Sequence, residues 1–235
     1  MRLIQDYQDQ LQTILHSQGN EFIKTEYGVI IEVNFSYLYA LNLIARRIEL
    51  ERFFNTQYFS IAYSCLIESY SLALDNHSRG SALVLRSALE NFLKSAISVA
   101  GNGSYIINDR SYSANKKTLE LIIDDVYPEK YKVIFKRTTD QMNRIYGILS
   151  GLSHSLTPES QNNMLSFFSD VKTVSRDRLN FVFNNMKLVF EYIFTSSLLV
   201  ARSSLELWER STLKDILSLV YGTKRTAKTL LLFVP

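Results

Sequence analysis

Apolar residues recur at three- and four-residue intervals through most of the chain, the spacing that lines one face of an α-helix. Residues 2–17 place Leu3, Ile4, Tyr7, Leu11, Ile14 and Leu15 on such a face, and Ser17-Gln18-Gly19-Asn20 supplies the glycine and asparagine that often end a helix. Residues 26–33, Glu-Tyr-Gly-Val-Ile-Ile-Glu-Val, are instead β-prone and predict a short isolated strand or an extended connector. Helical spacing then resumes and predicts helices over 35–54 and 56–74. Asp75-Asn76-His77-Ser78 breaks the pattern and offers Ser78 as an N-cap for a helix over 79–100, which Gly101-Asn102-Gly103 ends.

A polar loop over 101–114, a short helix over 117–126 and a turn at Tyr127-Pro128-Glu129 lead into a helix over 130–153. Residues 155–175, with Thr157-Pro158-Glu159-Ser160, read as irregular with a short helical piece. A long helix over 176–209 and a short one over 211–220 follow, and the tail from Lys224 to Pro235 is expected to dock or fray. Together these predict an all-α, antiparallel helical bundle, one domain over 1–235. Its core spans about 35–210, with a C-terminal tail over 211–235.

Composition narrows the class. The chain has 235 residues, 46% hydrophobic and 21% charged, enough to bury a sizeable core without disulfide or metal. Its one cysteine, Cys65, sits among core-like neighbours and cannot form an intramolecular disulfide, which points to a reducing compartment. Asp6 and Asp9 interrupt the N-terminal apolar run, so no secretory signal is expected there. The window Phe181–Ala201 reads as the most apolar, but Asn184, Asn185, Lys187 and Glu191 argue against a membrane span. The expected address is cytoplasmic, with no membrane partner. A net charge of +3 is too small to predict nucleic-acid binding from bulk electrostatics.

Two helices carry candidate chemistry. On 79–100, Ala82, Leu85, Leu89, Phe92, Leu93 and Ala96 form the apolar stripe, with Arg79, Arg86 and Glu90 at its border. Arg86 and Glu90 are four apart, so their side chains can meet, and partial burial there would strengthen the pairing. On 130–153, Phe135, Met142, Ile145, Leu149 and Leu152 make the stripe, widened by Ile134 and Ile148. Asp140, Asn143, Gly147, Ser150, Gly151 and His154 lie on the other side, with Arg144 nearby. The small residues predict close approach by another element there, and His154 falls at the helix C-terminus, where an imidazolium is favoured. Arg86, Glu90, Ser150 and His154 are therefore expected to face one another, as a structural network or as a pocket.

The segments Arg86-Ser87-Ala88-Leu89-Glu90 and Tyr146-Gly147-Ile148-Leu149-Ser150-Gly151-Leu152-Ser153-His154 resemble two motifs of bacterial helical bundles: an R-S-x-x-E helix followed by an S-x-x-x-H helix. The resemblance is to the HEPN superfamily (higher eukaryotes and prokaryotes nucleotide-binding domain) and covers roughly residues 56–155. It implies a four- to five-helix bundle, often dimeric, of a kind that includes RNA-cutting toxins and defence proteins. It further implies that Arg86 binds phosphate, Glu90 orients Arg86, and His154 acts as acid/base or phosphate ligand, with Arg79, Arg144 and Ser150 in binding roles. HEPN ribonucleases carry an arginine five to seven residues before the histidine; the residues at those offsets from His154 are Leu149, Ile148 and Gly147. The alternative is a non-enzymatic interaction module, an adaptor or antitoxin-like partner, in which the same residues are structural.

Other signals are weaker. Gly147-Ile148-Leu149-Ser150-Gly151 has the wrong spacing and context for a nucleophile elbow, and Gly101-Asn102-Gly103 lacks a P-loop lysine. His16, His77 and His154 lie far apart without a ligand motif, so neither metal nor cofactor is expected. Lys116, Lys117, Lys130, Lys132, Lys136 and Arg137 form one basic grouping, and Lys224, Arg225 and Lys228 another; exposed tyrosines near either would suit base stacking. The aromatics in 35–39 and 190–194 read as core, with part of that surface a possible homodimer seam.

Overall fold

The computed structural model describes residues 2–17, 19–153 and 173–233, and the described residues form eleven α-helices, one 3-10 turn and no strand. The helices are α1 (Arg2–Ser17), α2 (Glu21–Ala45), α3 (Glu51–Phe54), α4 (Gln57–Leu74), α5 (Ser78–Ala100), α6 (Tyr112–Val126) and α7 (Glu129–Ser153). They continue with α8 (Arg176–Val200), α9 (Arg202–Leu205), α10 (Arg210–Val220) and α11 (Thr223–Phe233); the 3-10 turn is Ile48–Leu50.

The predicted strand is not there: residues 26–33 lie inside α2. Ile23 and Ile31 are sealed while Val29 is 81% exposed, a one-sided helical pattern that β-propensity does not reveal. Asn20 starts this helix, its side-chain oxygen accepting the Phe22 amide, and Gly19 takes the left-handed φ of +92° that turns α1 into α2. The expected helix over 35–54 therefore ends at Ala45 and is replaced by the 3-10 turn and α3. By length and composition α2 would reach across a bilayer, a better match than 181–201, but more than half of its apolar window is buried inside the protein.

α4 and α5 form an antiparallel hairpin joined by residues 75–77, the tightest helix pair in the fold. Small residues allow this approach. Ser69 Oγ donates to Ser81 O at 3.0 Å and Ser81 Oγ to Ser69 O at 2.8 Å, both side chains fully buried. Ser78 does not cap α5; His77 occupies that position, and the Ser78 hydroxyl is buried without a partner. α5 packs in turn on α6, α7 and α8, and α8 packs on α2, α5, α7 and α4, so these two helices carry the centre of the bundle. The predicted stripes hold for Leu85, Leu89, Phe92 and Leu93 of α5 and for Phe135, Met142, Leu149 and Leu152 of α7, all at most 3% exposed, but the widening to Ile148 does not, since that side chain is exposed.

Two further boundaries differ from expectation. The helix over 176–209 breaks at Ala201 into α8 and α9. The chain after residue 222 docks rather than frays: Leu230 and Phe233 are buried, and Tyr131 OH of α7 donates to Leu232 O at 2.7 Å. The aromatics of 35–39 and 190–194 pack as core, Phe35, Tyr37, Tyr39, Phe190, Tyr192 and Phe194 all being buried within this one chain. The irregular stretch expected over 155–175 lies mostly outside the described residues.

Candidate functional site: the Arg86–Glu90–Tyr146 cluster

Arg86 and Glu90 stand one turn apart on α5, and the helix brings them together: Arg86 Nε donates to Glu90 Oε1 at 3.1 Å. Their partner across the helix interface is Tyr146 of α7. Its hydroxyl donates to Glu90 Oε1 at 2.8 Å and accepts from Arg86 Nη2 at 3.2 Å, closing a three-membered network between the two helices. The Arg86 guanidinium carbon also lies 5.2 Å from the Tyr146 ring centroid. Tyr112 at the first turn of α6 stacks parallel to that ring, centroids 3.6 Å apart and planes within 2°. Three helices are thus tied at one point.

The loop 101–111 forms the rim. Buried Asn115 imitates a backbone segment: its Nδ2 donates to Asn108 O and its Oδ1 accepts the Asn108 amide, both at 2.7 Å. Asn108 Oδ1 then accepts the amides of Arg110 and Ser111, and Ser111 Oγ caps α6 by accepting the Ala114 amide at 3.1 Å. This cap starts α6 five residues before the expected residue 117. Lys94, two turns beyond Arg86, reaches the loop from below, donating to Asp109 O at 3.2 Å and lying 3.5 Å from the Asp109 carboxylate. The result is a cleft of about 150 Å³ lined by Arg86, Glu90, Lys94, Asp109, Arg110, Tyr112 and Tyr146, among others. Its charged groups are three cations and two carboxylates. Arg110 is exposed and makes no side-chain pairing among the described residues.

Electrostatics favour charged Arg86 and neutral tyrosines. Burial opposes the Arg86 charge, but the hydrogen bonds and charges of Tyr146 and Glu90 outweigh it and hold the guanidinium pKa above its ordinary value. Burial, reinforced by the bond to Glu90, raises the Tyr146 phenol, against smaller opposing effects of Arg86 and Ser150. Tyr112 is raised by burial and by the charges of Tyr146 and Glu90. Near neutral pH Tyr146 is therefore a hydrogen-bond bridge and not a base.

The expected residues divide as follows. Arg86 and Glu90 meet as predicted. Ser150 follows Tyr146 by one turn, and its buried hydroxyl lies close enough to the Tyr146 phenol to lower its pKa slightly, though not in good hydrogen-bond geometry. His154 lies outside the described residues. Arg79 is exposed about 10 Å further along α5, and Arg144 is exposed on α7; neither lines the cleft. The close approach predicted across Gly147 is not seen: a Cβ built there meets nothing within 4 Å among the described residues. Tyr146, Tyr112, Lys94 and Arg110 were not anticipated. For Tyr146 a signal existed, since it shares a helix face with Ser150; for Tyr112 and Arg110 none did, because only the fold brings them close.

The basic groupings are largely paired. Lys136 pairs with Asp124 at 2.6 Å, Lys132 donates to Asp124 O, Lys130 to Leu232 O, Lys116 pairs with Glu120, and Arg225 with Glu191. Among the described residues no group of three or more His, Cys, Asp or Glu is arranged to hold a metal. Comparison with protein-family models, characterised proteins and solved structures gives no match for this chain.

Proposed function

We propose that the chain is a HEPN-like helical-bundle protein that binds the phosphate of RNA or of a nucleotide at the Arg86 cleft, in the bacterial stress or phage-defence setting that the sequence resemblance implies. A cytoplasmic homodimer is part of the same reading. The observation that carries it is the convergence of Arg86, Lys94 and Arg110 on one small cleft whose rim is fixed by the Asn108–Asn115 clasp. Arginine and lysine donors with an aromatic wall suit a phosphate group. At about 150 Å³ the cleft admits such a group and excludes a nucleobase, which would remain on the surface. Binding or cleavage of RNA or a nucleotide is the proposed activity, and the cleft's donors support the binding part of it.

The test is fluorescence anisotropy with single-stranded RNA and with a nucleoside diphosphate, alongside a cleavage assay, for wild type and Arg86→Ala. Wild type should bind one of these ligands and Arg86→Ala should bind it at least tenfold more weakly. Absence of binding to both by wild type rejects the reading.

A second reading is favoured by one observation: Arg86, Glu90 and Tyr146 are hydrogen-bonded to one another and, with the Tyr112 stack, join α5, α6 and α7. In a non-enzymatic interaction module that network is purely structural, and Arg86→Ala lowers the melting temperature with no ligand affinity to lose.

A further inference from the structure

Two larger concavities lie on a different face. Two adjoining hollows of about 740 and 570 Å³ run along the groove between α2 and α4. They share Asn42 and Arg46 of α2 and Tyr63, Ser64 and Ile67 of α4, so they form one trough with a common waist. From Phe59 to Ser71 the α4 wall runs about 18 Å.

The waist is mostly polar, the larger hollow is mixed, with Arg47, Glu51, Asn55 and Ser60 in its wall, and the 570 Å³ arm is the more apolar of the two. Arg46 is exposed and its side chain has no ion pair or hydrogen bond among the described residues. The amide of Asn42 stands one turn before it, and Tyr63 and Ser64 supply hydroxyls opposite; Tyr63 OH is held by Leu38 O at 3.2 Å. The 570 Å³ arm is walled by Phe35, Leu38, Ile14, Ile67 and the Tyr70 ring. At about 30 Å³ per non-hydrogen atom, close to the share of one liquid water, it holds on the order of fifteen to twenty such atoms.

We propose that this trough is a binding site for an apolar-tailed carboxylate, an acyl acid of roughly ten to sixteen carbons, independent of the Arg86 cleft. Arg46 takes the carboxylate, assisted by the Asn42 amide, and the tail fills the arm beside Phe35 and Leu38. One unpaired guanidinium matches one carboxylate in a bidentate pair. An apolar hollow with a few convergent polar groups is the ordinary form of a small-molecule site. Glu51 lines only the larger hollow, where it accepts from Asn55 Nδ2 at 3.1 Å, and Glu68, next to Ile67, is the one carboxylate in the lining of the 570 Å³ arm.

The test is calorimetric titration of the full chain with sodium decanoate, sodium octanoate and 1-decanol. Decanoate should bind at one saturable site, about tenfold tighter than octanoate, because two further methylenes leave water. 1-Decanol should bind at least fivefold more weakly than decanoate. Arg46→Gln removes the charge and Ile67→Trp fills the waist; each should weaken decanoate at least fivefold. Both positions are on the surface, Ile67 being 48% exposed, and unchanged helical circular dichroism verifies that the variants fold. Non-saturable uptake by wild type, equal binding of the alcohol, or less than fivefold weakening by either variant overturns the proposal.

Discussion

The Arg86–Glu90 contact follows from helical spacing, the two side chains standing one turn apart on α5. Asn115 looks like an ordinary polar residue near the start of a helix, yet it is only 2% exposed and its amide completes the hydrogen bonding of Asn108 in two directions. Asn115→Ala leaves an amide and a carbonyl of Asn108 unpaired at the rim. It should cost about 2–3 kcal/mol in urea denaturation, and hydrogen exchange of the Arg110 and Ser111 amides should accelerate. Unchanged stability would mean that the loop is held by other contacts. Tyr146 is the residue whose role was most nearly legible, since it lies on the polar face of α7 with Asn143 and Ser150; nothing local indicated that its hydroxyl would answer both members of the α5 pair.

At the scale of elements, glycines report where helices are crowded and where they are open. Gly101 ends α5, and a Cβ there would lie 2.7 Å from Ile97 O and 2.8 Å from the Tyr105 ring. Gly147, inside α7, has open space around the same position. Gly101→Ala should therefore destabilise by about 1–3 kcal/mol through overpacking, while Gly147→Ala should stabilise by roughly 0.5–1 kcal/mol through the alanine's better helix propensity. Thermal unfolding of the two variants should shift in opposite directions; a loss on Gly147→Ala would show that an element does approach that face. The α2 boundary carries the complementary lesson. Residues 26–33 have β-branched side chains that favour a strand in isolation, and only the burial of Ile23 and Ile31 on one side, with the cap at Asn20, makes them a helix. Periodicity located the stripes of α5 and α7 because each buries one face. It failed over residues 26–33 of α2, where the run Val29-Ile30-Ile31 with Val33 places apolar side chains on both the buried and the exposed side, Val29 being 81% exposed, and so hides the helical period.

At the scale of the whole molecule, the tyrosines link the core to pH. Tyr7, Tyr37, Tyr70, Tyr127 and Tyr192 are raised above the ordinary phenol value, burial being the largest cause, and Tyr63 is pushed up to about 12 by burial, partly offset by Arg46. In the unfolded chain these groups ionise near pH 10, while in the folded chain they stay protonated. The folded state then binds more protons above that pH, so the tyrosines' contribution to stability is constant below about pH 10 and is lost as pH rises further. Tyrosinate absorbance should accordingly appear in a sharp step that coincides with loss of helical circular dichroism. A gradual titration centred near pH 10 with the helices intact would contradict the burial of these rings.

The account stands or falls on whether the Arg86 cleft binds phosphate or only braces three helices, and Arg110 separates the two. Its side chain borders the cleft, is exposed and makes no pairing among the described residues, so its removal should leave the fold untouched. The measurement is the affinity of Arg110→Ala for the RNA or nucleotide that wild type binds, taken beside its melting temperature. At least fivefold weaker binding at an unchanged melting temperature is the predicted result; equal affinity would contradict a phosphate site in this cleft.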